Sequence, residues 1–148
     1  MSFQHVVVAE TSLLVSLVQA DLHHLLPACG LVFQIADLNC RQLCTASRSA
    51  LEDHGALVVE LSGEQLRQTV EIFRSTQGIC VGEAASLVLA EAGPFPLLGG
   101  GPSLRAMPRA QQCGCHDRHW FHGILRERIP AENIPHVEVA LRKRANVE

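Results

Sequence analysis

The sequence predicts an α/β domain, a doubly wound three-layer α/β/α sandwich around a mostly parallel sheet of about four to five strands. Short β-branched runs such as HVVVA (5–9) and ALVVEL (56–61) have the continuous hydrophobicity of strands buried on both faces. Stretches with helical periodicity and helix-capping residues alternate with these runs. The 148 residues suit one domain spanning 1–148, and no linker, repeat or low-complexity segment divides them.

Each element has its own local reason. After the strand at 5–9, Thr11 or Ser12 offers an N-cap to a helix carrying Leu13, Leu14, Leu17 and Val18. Pro27 and Gly30 mark a loop, and LVFQIA (31–36) reads as a second strand or an extended lead into a helix. Residues 38–51 read as that helix, ending near EDHG. The strand 56–61 runs into SGEQ (62–65), a serine with glutamine three residues on, which is the capping-box pattern. A helix over 63–76 follows, with Leu66, Val70 and Phe73 on one stripe.

Gly78 interrupts that helix, and a second one runs over about 82–92, closed by Gly93 with Pro94 beyond. FPLL (95–98) is a short strand entering Gly99-Gly100-Gly101, and Pro102 suits the first turn of a helix over 102–110. QCGC (112–115) reads as a short edge strand, followed by the helix HDRHWFHGILRER and Pro130. The tail 133–144 reads as a helix whose last turn holds Arg142, Lys143 and Arg144, where the dipole favours cations.

Composition narrows the function classes. A net charge of −3 gives no global basic field of the kind that marks nucleic-acid binders. Six cysteines in a chain of this length are too few for a disulfide scaffold, so reduced thiols and a cytoplasmic location are expected. The N-terminus lacks a basic stretch before its apolar run, and Glu10 breaks that run, so neither a signal peptide nor a membrane span is expected. In doubly wound sheets ligands gather at the carboxyl ends of strands. That rule points to Glu10, which ends one strand, and to Gly99–Gly101, which end another.

VVVAETSLLVSLV, VGEAASLVLAEA with its Gly-Glu start, and the strand–turn–helix LLGGGPSLRA together resemble a PIN domain over about residues 5–130. PIN domains are small metal-dependent nucleases common among the toxins of bacterial toxin–antitoxin systems. The resemblance implies a cluster of about four carboxylates holding Mg²⁺ or Mn²⁺, hard cations that activate water and neutralise a phosphodiester under attack. Its first acid falls on Glu10 and its third on Glu83. Its second falls on Gln42, which has a carbonyl oxygen but no charge, and its fourth on Gly101 or nearby, which has no side chain. Asp37, Glu52, Asp53 and Asp117 match none of these positions.

The resemblance gives Ser12 the orientation of the first acid or of a metal-bound water, and sets Arg105 near the mouth, within reach of phosphate. It also implies RNA as substrate, an antitoxin as partner and a homodimer. Each residue has a structural reading as well: Glu10 as a solvated turn residue, Glu83 as an acid in a helix first turn, Ser12 as a cap and Arg105 as a solvated cation. With the cluster incomplete, the expected function is a related ribonuclease of weak or lost activity, or an inactive module binding a protein partner or RNA. A separate alternative is a zinc or thiol site in CGCHDRHWFH, at Cys113, Cys115, His116, His119 and His122. These are soft-metal donors, but they crowd one segment, whereas zinc sites pair distant halves. Cys113 and Cys115 on one strand face would instead be small core residues.

Overall fold

Val6, Val7 and Val8 have no exposed surface, and their side chains divide between two separate cores as a strand period of two requires. They belong to β1 (Gln4–Val8), the central strand of the computed structural model, which describes residues 4–41 and 43–142. β2 (Leu31–Ala36), β3 (Ala56–Val59), β4 (Leu97–Leu98) and β5 (Cys115–His116) complete a five-stranded sheet in the order β3-β2-β1-β4-β5. Every pairing is parallel, and the register sets Val6 against Phe33, Phe33 against Ala56, and Val8 against Leu98.

The helices form the outer layers of an α/β/α sandwich. One core joins Val6, Val8, Phe33 and Ile35 to α1 (Ser12–Gln19), α2 (Thr45–Asp53), α7 (Arg118–Arg128) and α8 (Ile134–Arg142). The other joins Val7, Ala9, Ala36 and Leu97 to α3 (Gly63–Ser75), α4 (Val81–Ala92), α5 (Pro102–Arg105) and α6 (Pro108–Cys113). None of the helices among the described residues is long and apolar enough to cross a membrane.

The capping box forms as expected: Ser62 Oγ accepts from the Gln65 amide at 3.2 Å, and Gln65 returns the contact to the Ser62 amide at 2.9 Å. Other expectations are corrected. The helix over 38–51 divides into a 3₁₀ turn, Asp37–Cys40, and α2, which starts only at Thr45. Asn39 explains the break, because its side chain donates to the carbonyls of Val8 and Ala9 and ties that turn to the end of β1. The helix over 102–110 divides into α5 and α6, with Pro108 opening the second.

Neither Thr11 nor Ser12 caps α1 through its side chain; Ser12 Oγ turns back to Glu10 instead. Cys113 ends α6 while Cys115 opens β5, so the two cysteines do not share a strand face. The stripe Leu66, Val70 and Phe73 is exposed, at 41%, 46% and 43%. α3 buries Thr69 and Ile72 instead, and Thr69 is tolerated there because its hydroxyl donates to the Gln65 carbonyl at 2.8 Å. The expected strands at 56–61 and 95–98 are shorter, and Lys143 and Arg144 lie outside the described residues.

Candidate functional site

The strand order creates a topological switch point. From β1 the chain crosses to β2 and β3 on one side, then returns to place β4 on the other side of β1. At such a point the crossovers leave in opposite directions, opening a crevice at the carboxyl ends of the two central strands. The segment after β1 holds Glu10, and the segment after β4 holds Gly99–Gly101. The amides of Ala9 and Glu10 both donate to the Leu98 carbonyl, at 2.9 and 3.3 Å, so the two strand ends are locked together.

Glu10 and Glu83, which are 73 positions apart in the sequence, line one crevice together with Gly100 and Gly101. Gly100 N–H donates to Glu10 Oε1 at 3.3 Å, and Gly101 N–H donates to Glu83 Oε2 at 2.6 Å. Gly99 (φ +77°) and Gly100 (φ +109°) sit in backbone conformations that favour glycine, which turns these amides towards the carboxylates. Gly101, at or near which the resemblance implies a fourth acid, supplies a main-chain donor to Glu83.

The remaining carboxylate oxygens are also engaged. Glu83 Oε1 accepts from the Cys80 amide at 3.1 Å, while the Glu83 amide donates to Cys80 Sγ at 3.4 Å, a reciprocal cap at the start of α4. Glu10 Oε2 accepts from Ser12 Oγ at 3.3 Å and from an Arg118 Nη2 donor at 2.8 Å. Arg118 lies 108 positions from Glu10 and carries no local sequence signal. It is the charged partner of Glu10 that sequence reasoning does not single out. Beside it a cavity of about 420 Å³ opens between Ser12, Gly100, Gly101, Arg105 and Arg118, with Leu141 of α8 at its edge. Arg105 is among the residues lining this cavity, whereas Gln42 lies outside the described residues.

These residues are a poor fit to Mg²⁺ or Mn²⁺. Such ions take six or so oxygen donors and tolerate little distortion. Each carboxylate oxygen of Glu10 and Glu83 already accepts a hydrogen bond from the chain, and Arg118 places a positive charge against Glu10. Among the described residues, no three His, Cys, Asp or Glu side chains are grouped so as to hold a metal ion. Asp117 serves as the N-cap of α7, accepting from the Trp120 amide at 2.9 Å, and Glu52 pairs with Arg48 on an exposed face. Asp37, after β2, keeps a buried Oδ1 without a hydrogen-bond partner.

The soft-donor segment is dispersed over three elements. His116 stacks on Trp120, with ring centroids 3.9 Å apart, and burial holds its pKa below the usual imidazole range despite the opposing Asp117. His122 packs between α7 and α8 among Leu125, Ile129, Ile134, Val137, Leu141 and the charged pair Arg126–Glu138. Its Nε2 is buried without a partner. Burial first, then Arg126, His119 and Arg118, push its pKa down, and Glu138 opposes them.

The folded state therefore prefers both imidazoles neutral, while the unfolded chain protonates them near pH ~6.5. Their contribution to stability is complete above that value. It falls as the pH drops through ~6.5 and levels off below the depressed folded-state values. Thermal melts between pH 7.5 and 5, values chosen to bracket the imidazole range, are expected to show a falling melting temperature. His122→Asn should flatten that slope, and an unchanged slope would show that His122 does not contribute.

Compared with known proteins, the chain matches no protein-family model, no curated protein and no solved structure.

Proposed function

We propose that this chain is a PIN-like relative of metal-dependent endoribonucleases whose acidic site no longer supports efficient cleavage, and that it works by binding RNA or a protein partner. One observation carries the reading. The two acids converge at the switch point of the sheet, yet each of their oxygens already accepts a hydrogen bond from a chain amide, a serine or an arginine. Catalysis of phosphodiester hydrolysis needs a site that stabilises developing negative charge, usually the largest contribution to the rate. A pair of carboxylates turned towards internal donors supplies little of that stabilisation.

The site keeps the architecture of a binding crevice. Arg105 and Arg118 line the cavity together with Glu10 and Ser12, giving it both signs of charge and hydrogen-bonding groups of both kinds. Incubation of single-stranded RNA with the purified protein and Mn²⁺ or Mg²⁺ is expected to give slow cutting or none, with any residual cutting lost in Glu10→Gln. Rapid multiple-turnover cleavage by the wild-type chain would overturn the proposal. Equal cutting by wild type and Glu10→Gln would assign the activity to a contaminant or to another site.

A further inference from the structure

We propose that Arg118 is the resident counter-ion of Glu10, a built-in cation that takes the place of a divalent metal and sets the cation selectivity of the crevice. The inference rests on the reading that the acidic site does not support efficient metal-dependent cleavage. Its basis is the ion pair itself: Arg118 Nη2 lies 2.8 Å from Glu10 Oε2 at the carboxyl edge of the sheet, with the two side chains 44% and 26% exposed. The packing of Phe121 and Leu125 in the core holds α7 there.

The location is informative. Arg118 is the first residue of α7, where the helix dipole disfavours a positive charge. The helix already has its cap in Asp117. Arg118 is therefore not needed to start the helix, and its charge is opposed by its own element. Glu10 is the carboxylate paired with it across the crevice, and in return Glu10 gains a charge-assisted hydrogen bond.

A guanidinium has no lone pair to offer a metal and keeps its charge at any pH at which the protein is folded. A divalent ion approaching Glu10 Oε2 would meet that charge at contact distance, with Arg105 lining the same cavity. Glu83 alone, turned towards the Cys80 and Gly101 amides, offers no compensating site. Removing the charge of Arg118 while keeping a polar side chain should free Glu10 Oε2 for a metal.

Titration of the full chain with Mn²⁺, followed by isothermal calorimetry and by the electron paramagnetic resonance of free Mn²⁺, tests this. Arg118→Gln is expected to bind Mn²⁺ at least ~10-fold more tightly than wild type, the scale on which groups around a metal tune its affinity. Arg118→Lys, which keeps the charge, should stay near the wild-type value, and Glu10→Gln/Arg118→Gln should lose the gain. Circular dichroism checks that each variant folds; Arg118→Lys serves as the folded reference. Equal Mn²⁺ affinity in wild type and Arg118→Gln would overturn the inference, as would tight binding by wild type. Rapid RNA cleavage by wild type would instead sink the functional reading, whatever Arg118 does to metal affinity. An inert wild type with no gain in Arg118→Gln would sink this inference alone.

Discussion

Phe121→Ala is expected to lower the unfolding free energy by about 3–5 kcal/mol, the range for emptying a buried aromatic site. Phe121 has no exposed surface, and its ring meets Phe33 of β2 edge-on, with centroids 6.0 Å apart and planes at 84°. Edge-to-face pairs of this kind add to the plain burial of area. The pair is the buried aromatic link between α7 and β2, beside Leu125 and Ile129 in the same core, while Trp120 of α7 stacks on His116 of β5. A domain of this size commonly has only about 5–15 kcal/mol of stability in total, so the loss is a large share of it. Urea unfolding followed by circular dichroism and by the fluorescence of Trp120 measures it. A loss below about 1 kcal/mol would show that the ring pair does not anchor α7. Because α7 also carries Arg118 to Glu10, the same truncation should loosen the crevice.

Gly99→Ala is expected to destabilise the fold by about 1–3 kcal/mol and to displace Glu10. Two effects act together. The backbone of Gly99, at φ +77°, lies where an L side chain is strained. A Cβ there would stand 2.5 Å from Glu10 Cβ and 3.3 Å from Leu13 Cδ1, so the segment after β1 must give way. Neither neighbour is the free end of a surface chain: Glu10 is held at three contacts and Leu13 belongs to the core. Gly63→Ala is the matched control, because a Cβ at the start of α3 meets nothing within 4 Å and the backbone there is unstrained. That substitution should be neutral or stabilising by up to ~1 kcal/mol. Equal melting temperatures for the two variants would show that the glycine loop does not depend on its conformation.

The amino-acid sequence by itself determined the α/β class, the central strand β1 and the position of most of the helices. The valines of HVVVA form a continuous apolar run that specifies burial on both faces. β2 spans the same residues as LVFQIA, which the sequence left open between a strand and an extended lead into a helix. The Ser62–Gln65 cap is a contact over three residues, so local chemistry decides it. Glu10 was legible as an acid at a strand end, and Glu83 as an acid in a helix first turn.

Only the tertiary structure decided what those acids do. Whether Leu66, Val70 and Phe73 face the core depends on which side of α3 meets α4, and periodicity alone marks a stripe without choosing its partner. The break before α2 comes from Asn39 binding the end of β1, a contact across 31 positions. The partners of Glu10 are further still: Gly100 lies 90 positions away and Arg118 lies 108 away. Local patterns reach a few residues along a helix or strand, whereas a carboxylate's charge state and ligands are set by whatever the fold brings within hydrogen-bonding distance. The sequence therefore located the acidic edge of the sheet, and the packing of α7 against it filled that edge with an arginine.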